Sequence, residues 1–242
     1  MIIKTFRKKG CGFIGQDADS WSDNWGDIGE IVESFRNADK THLSFFFKKY
    51  FPHPPKKILE GGCGTGKYVH AYRKMGYDVV GVDFASKTVN LINKNFPELP
   101  IFEGDVLRLP FNDGEFDCYY SGGVIEHFEN GPDHAIKEAR RILKKQGILL
   151  ATVPYINLLR KSRFLLNPRS QKRDLMQLKV SSCGQAVSGP KEYSFCEYMF
   201  DAKGIKHFFE ENGFTVIKMY PIDFLWGDRK STRLNSSHEW IS

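Results

Sequence analysis

The sequence predicts an α/β fold of the doubly wound kind, a mostly parallel sheet with helices on both faces, and three observations predict it. From Lys56 onward, apolar runs of strand length alternate with amphipathic runs of helix length, the order that right-handed crossovers between parallel strands produce. The second strand-length run, "YDVVGVDF", is rich in valine, as a strand covered on both faces is. The chain has 242 residues, 41% of them hydrophobic, which is enough for one sizeable core.

The elements follow in order. "KKILEGG" reads as a first strand and "GKYVHAYRKMG" as a helix closed by Gly76. After the second strand, "SKTVNLINKNF" is a helix that Ser86 can cap and Pro97 ends. "LPIFEGD" and "FDCYYSG" are the third and fourth strands. "DHAIKEARRIL" is a helix with Ala135, Ala139 and Ile142 on one face, and "GILLATV" is the fifth strand. "DAKGIKHFFEENG" then reads as a helix and "FTVIKMYPI" as a sixth strand. Ligands on such sheets bind beyond the carboxyl ends of the strands, where the strand order reverses.

The remaining segments carry less pattern. Residues 1–55, with "DSWSDNWGDIGE" and "THLSFFFKKYF", are expected to form an aromatic-bearing lid with a helix. Residues 155–200 interrupt the alternation: Arg160, Lys161, Arg163, Arg169, Lys172, Arg173, Lys179 and Lys191 stand against only Asp174, Glu192 and Glu197, so this insertion holds most of the net charge of +6. Its basic and apolar mixture suits an anionic or amphiphilic ligand, or contact with a membrane surface through residues 155–180; a solvated loop is the plain alternative. Five scattered cysteines without a C-x-x-C pair give no disulfide framework and no metal site. No apolar run reaches membrane-spanning length. A soluble, cytoplasmic protein is expected. Residues 1–227 are read as one domain, with a core over 56–154 and a closing helix and strand over 201–227. The tail differs: Asp228 to His238 resembles the translation of a common sequencing-library adapter. It is set aside as non-native, and a closing seventh strand is expected to be missing.

The stretch "EGGCGTGKY", Glu60 to Tyr68, admits two chemistries. Gly61 to Lys67 fits G-x-x-x-x-G-K, but a phosphate-binding P-loop requires Ser or Thr next, to hold magnesium, and the residue is Tyr68. A nicotinamide turn, G-x-G-x-x-G, would need glycine at Lys67. What is present is G-x-G-x-G over Gly62, Gly64 and Gly66, and the second strand ends in Asp83. A carboxylate there costs several kcal/mol to desolvate unless it is paired, and two ribose hydroxyls would pair it. The alternative is an Asp that caps the next helix.

With these residues, and with "GDVLRLPF" and "FDCYYSGGVIEHF" in the right order, the sequence resembles the class I S-adenosylmethionine-dependent methyltransferases, closely over Lys56 to Val153 and loosely over Phe195 to Ile222. The resemblance implies a Rossmann-like sheet and S-adenosylmethionine as cofactor. By it, the backbone of Gly61, Gly62, Cys63 and Gly64, followed by Gly66, approaches the methionine part, and Glu60 orients that end. Asp83 takes the ribose hydroxyls and Phe84 covers the adenine. Asp105 and the Val106 N–H meet the adenine edge, and Ser121 lies at the end of the fourth strand beside the cofactor. Asp83→Ala is then expected to weaken cofactor binding without unfolding the chain, and Lys67 becomes ordinary helix surface.

Methyl transfer from a sulfonium is a displacement that mainly needs the acceptor held in line. The residues after the fourth strand, "SGGVIEHF", are not the Asn/Asp-Pro-Pro-aromatic stretch that holds amides and exocyclic amines in related enzymes. A nucleobase amine or glutamine amide is therefore disfavoured; oxygen, carbon or an aliphatic amine stays open, and transfer to oxygen or carbon of a small-molecule, sugar or lipid-like acceptor is expected, with no nucleic acid. His127, with Glu126 before it, is the candidate general base; the competing reading has both merely beginning the next helix, or contacting the cofactor. Three rivals remain: a nucleic-acid methyltransferase using the basic insertion, a non-catalytic cofactor-binding module, and a nicotinamide oxidoreductase.

Overall fold

The computed structural model describes residues 1–8, 17–38, 41–157, 162, 175–180 and 191–220. The chain divides into two compact units, one of residues 14–122 and 137–150, the other of 1–13, 123–136 and 151–242.

The first unit is built on a five-stranded sheet. Its strands are β2 (Lys57–Gly61), β3 (Asp78–Asp83), β4 (Ile101–Glu103), β5 (Phe116–Gly122) and β6 (Leu143–Thr152), numbered after an N-terminal strand of the other unit. The order is β4-β3-β2-β5-β6, and β2–β3, β2–β5 and β3–β4 are parallel pairs. The order reverses at β2: the chain builds outward to β4, then returns to the other side of β2 as β5. Central β2 is buried from Ile58 to Gly61, with Ile58 and Leu59 in the core and the acid Glu60 buried after them.

Helices pack around this sheet. α4 (Lys67–Lys74) buries Tyr68, Val69 and Tyr72, and Gly76, at φ 88°, ends it as predicted. α5 (Ser86–Asn95) buries Val89 and Ile92. Its N-cap is Ala85 and not Ser86, because the Ala85 N–H is already held by Asp83. α6 (Asp133–Ile142) buries Ala135, Ala139 and Ile142, the predicted face. Residues 17–50 add α1 (Ala18–Asn24), α2 (Ile28–Asn37) and α3 (His42–Tyr50), with Asp17 and Asp27 capping the first two. Part of the predicted lid is core: Phe47 is 1% exposed and packs on Tyr68, Tyr72 and Tyr120 at centroid distances of 5.5, 4.4 and 4.7 Å. Burying one such ring stabilises the fold by about 1.5–3 kcal/mol.

The second unit holds an antiparallel sheet of β1 (Ile2–Lys8), β7 (Leu175–Val180) and β8 (Tyr193–Phe200), with β1 in the middle. The sequence places residues 2–8 in the expected lid; the structure makes them a strand instead, anchored by Ile3 and Phe6, each 1% exposed. α7 (Ala202–Glu211), capped by Asp201, buries Ile205, Phe208 and Phe209. The predicted sixth strand corrects to no strand: residues 214–220 join no ladder, and Ile217 is 75% exposed. Alternation alone does not make a strand without a neighbour to take its N–H and C=O groups. Most of the basic insertion, and the tail from Asp228, lie outside the described residues. Among the described residues no helix is long and apolar enough to cross a membrane.

Candidate functional site

The first unit brings most of the predicted residues to the carboxyl ends of its strands. Gly61 is in register with Val82 of β3 and with Ser121 of β5, and Asp83 is in register with Glu103 of β4. This is the point where the strand order reverses, the expected ligand position.

The turn after β2 explains its glycines. Gly62, Gly64 and Gly66 sit at φ 73°, 51° and 71°, where an L side chain costs roughly 1–2 kcal/mol. Gly61 has a different reason: a Cβ there would collide with the Tyr119 hydroxyl of β5 and come within 3.2 Å of Val106 Cγ1. Cys63 turns its sulfur towards Gly81, into the sheet, and burial holds its thiol well above the ordinary range.

The turn's N–H groups are committed inward. Gly62 and Cys63 donate to the Val82 carbonyl at 2.7 and 3.1 Å, Gly66 donates to the Cys63 carbonyl at 2.9 Å, and Gly64 donates to Asp83 Oδ2 at 2.7 Å. A phosphate cradle needs those donors pointing at the ligand, so the P-loop reading of "EGGCGTGK" has no basis in the geometry.

Two buried acids flank the turn. Asp83, 4% exposed, accepts from Gly64 through one oxygen and from the Ala85 N–H through the other, at 2.9 Å. Burial raises its pKa, against the pull of these N–H groups. It thus does part of what the capping alternative proposed, yet a carboxylate has about four lone-pair sites and two remain for hydroxyls. Glu60, 5% exposed, accepts from the Val69 N–H at 3.1 Å. Burial pushes its pKa up to about 8, with the Lys67 charge and the Val69 N–H opposing. Lys67 opens α4, its ammonium 4.8 Å from the Tyr68 ring centre.

The remaining predicted residues of this unit follow. Phe84 is 40% exposed and available as a flat apolar cover. Asp105 accepts from the Leu107 N–H at 2.9 Å, which shapes the loop after β4, and Val106 is buried beside Gly61. The Ser121 hydroxyl is buried with no partner among the described residues. Trp25, which the sequence reading did not single out, lies against Gly64: a Cβ on Gly64 would stand 2.8–3.0 Å from three indole carbons. Orphaned polar atoms, glycine approach points and a half-satisfied carboxylate fit a nucleoside ligand that carries a charged amino-acid end.

Glu126 and His127 belong to the second unit, in a single 3-10 turn, Ile125–His127, shortly beyond the end of β5. His127 Nδ1 lies 3.2 Å from the Cys196 carbonyl. That contact makes Nδ1 the protonated nitrogen and leaves Nε2 with the lone pair, 4.0 Å from Glu126 Oε1. Burial pushes the His127 pKa down to about 4, although 22% of the side chain reaches solvent. Glu126 is 1% exposed, its Oε2 has no partner among the described residues, and burial holds its carboxyl well above the usual range. Among the described residues no group of three or more His, Cys, Asp or Glu is placed to hold a metal.

Comparison with known proteins bears on this geometry. Residues 59–151 match the family described as Methyltransferase domain. A Mycolicibacterium smegmatis protein described as a probable S-adenosylmethionine-dependent methyltransferase is 28% identical over 41% of this chain and 38% of its own. The malonyl-[acyl-carrier protein] O-methyltransferase of Erwinia pyrifoliae is 31% identical over 39% and 36%, and the probable tRNA methyltransferase 9B of Bos taurus 35% identical over 41% and 22%. The chain thus spans about half the length, or less, of the curated relatives it matches. Among solved structures, the methyltransferase in complex with the Haloferax volcanii Trm112 methyltransferase activator aligns with a TM-score of 0.60 over 86% of this chain and 79% of that one, at 16% identity, a likeness of fold. The matched family, the strand order and the glycine turn fall on the same stretch, residues 59–151, and together support a class I S-adenosylmethionine-dependent methyltransferase domain there.

Proposed function

We propose that the chain binds S-adenosylmethionine at the reversal point of the parallel sheet and transfers its methyl group to oxygen or carbon of a small-molecule, sugar or lipid-like acceptor. One observation carries the cofactor reading: the turn spends its N–H groups on its own carbonyls and on Asp83, while two buried acids stand beside it. Such a turn disfavours a polyphosphate and suits a ligand with hydroxyls and an ammonium group. When bound, the cofactor supplies an activated methyl group. Asp83 holds the ribose hydroxyls, Glu60 neutralises the ammonium, Phe84 covers the adenine and Asp105 accepts from its amino group.

Calorimetric titration with S-adenosylmethionine, ATP–Mg and NAD tests this directly. Saturable binding of the first alone is expected, and binding of either of the others in its place would overturn the reading.

The acceptor reading rests on "SGGVIEHF" after β5, on the His127 tautomer, and on the relative from Erwinia pyrifoliae. His127 Nε2 carries the lone pair of a proton acceptor, and an imidazolium formed there would draw Glu126, 4.0 Å away, towards its ionised form. Any contact of residues 155–180 with a membrane surface is part of the same proposal, since it would present an amphiphilic acceptor. A labelled-methyl assay over carboxylate and hydroxyl acceptors and over total tRNA separates the classes. Label in tRNA alone would favour the reading suggested by the relative from Bos taurus.

A further inference from the structure

The ligand proposed above has an amino-acid end with two charges, and the turn provides for one of them. Glu60 can answer an ammonium. The carboxylate needs N–H or O–H donors, and the turn is poor in them: the N–H groups of Gly62, Cys63, Gly64 and Gly66 are all taken. The Thr65 hydroxyl is engaged with Ser34 Oγ at 3.1 Å. Asp83 and Glu60 are acceptors and would repel a carboxylate.

Trp25 offers an N–H from outside the turn. It is the C-cap of α1, its N–H closing the helix on the Ser22 carbonyl, and Gly26 follows at φ 76°. Its indole edge rests on Gly64, close enough that no side chain could stand there. Around it, α1 is tied to α5 by the Asp19–Lys87 pair at 2.9 Å. α2 is tied to α4 by Phe35, stacked on His70 at 4.4 Å. The segment 17–38 is therefore docked at the turn by contacts independent of Trp25. Yet Trp25 Nε1 is buried with no hydrogen-bond partner among the described residues. An indole N–H only donates, and when buried it normally finds an acceptor.

We propose that Trp25 is a cofactor-binding residue whose indole N–H donates to the carboxylate of the cofactor's amino-acid end, with Gly64 kept free of a side chain to let the ring approach. The inference rests on the S-adenosylmethionine reading and assigns Trp25 to it. A hydrogen bond to a charged group contributes about 1.5–3 kcal/mol, which corresponds to roughly ten- to a hundredfold in affinity.

The test uses two ligands that differ in the amino-acid end: S-adenosylhomocysteine has it and 5′-methylthioadenosine lacks it. Trp25→Phe keeps a ring against Gly64 and removes the N–H. It should weaken S-adenosylhomocysteine roughly ten- to a hundredfold and leave 5′-methylthioadenosine within about twofold. Trp21→Phe, the neighbouring ring, should change neither. Equal affinity of Trp25→Phe and wild type for S-adenosylhomocysteine, or equal weakening of both ligands, overturns the inference. Should Trp25→Phe fail to fold, the wild-type indole N–H resonance decides: a downfield shift with S-adenosylhomocysteine but not with 5′-methylthioadenosine supports it, and no difference overturns it. If wild type binds neither ligand, the S-adenosylmethionine reading itself falls and takes the inference with it.

Discussion

Asp83 and Glu126 are both buried acids, and the two units hold them in opposite ways. Asp83 receives two backbone N–H groups from the turns around it, one to each oxygen. Glu126 is more deeply buried, and its Oε2 receives nothing from the described residues. The difference teaches what each region is prepared for. Where N–H groups already aim at a carboxyl, they oppose the desolvation that raises its pKa and favour the charged form. Where one carboxyl oxygen is buried with nothing to answer it, burial favours the protonated form, which can donate.

The largest effect that would break this contrast is at Asp83. Asp83→Ala leaves the N–H groups of Gly64 and Ala85 buried without acceptors, at about 1–3 kcal/mol each. The sequence reading expected a loss of binding alone; the geometry instead predicts loss of cofactor affinity together with a lower denaturation midpoint. Asp83→Asn keeps an acceptor and should recover much of the midpoint while binding stays weak. An unchanged midpoint in Asp83→Ala would remove the structural half of its role.

At His127 the same contrast is tested through activity. His127→Ala should lower methyl transfer about a hundredfold, the usual contribution of a general base, with cofactor affinity little changed. Transfer persisting at a substantial level would leave His127 a contact of the Cys196 carbonyl only.

Next comes Gly64. Gly64→Ala places a methyl group at φ 51° and against the Trp25 ring. A cost of about 1–2 kcal/mol from the backbone alone is expected, readable as a lower thermal midpoint together with weaker S-adenosylhomocysteine binding.

The smallest effect is pH dependence, and its sign follows from the raised carboxyls. Between the ordinary value of 4.5 and about 8, the folded chain keeps the Glu60 proton that the unfolded chain has lost. The folded state then binds more protons, so stability of the free protein falls as pH rises through that window. Glu126 adds in the same direction. Glu60→Gln and Glu126→Gln should each flatten the slope. An ammonium ligand favours ionised Glu60, so its binding should release protons near pH 7 and tighten towards pH 8, measurable by calorimetry in buffers of different ionisation enthalpy.

Much of this was legible from sequence because it is local. The order of strands and helices from Lys57 to Thr152 follows from apolar period and from glycines at helix ends, and G-x-G-x-G marked the three positions with positive φ. What was not legible depends on partners far along the chain. Residues 2–8 form a strand because residues 175–180 and 193–200 pair with them, while "FTVIKMY", with as good an alternation, pairs with no strand among the described residues and forms none there. Asp83 looked like a ribose ligand or a cap, and the sequence could not say that one carboxyl has lone pairs for both. Trp25 carried no signal, since an indole 39 residues before Gly64 acquires meaning only when the ring is seen lying on it.

The position of β1 between β7 and β8 has a consequence for how the chain is made. Its partners begin at Leu175, so more than 160 residues must be added before either edge of β1 is covered. At about 5–20 residues per second, that interval is on the order of ten seconds or more. Throughout it, a strand with Ile2, Ile3 and Phe6 is open to whatever meets it on the ribosome. Nascent chains halted before Phe200 should accordingly bind chaperones through residues 2–8 and release them once β8 has emerged.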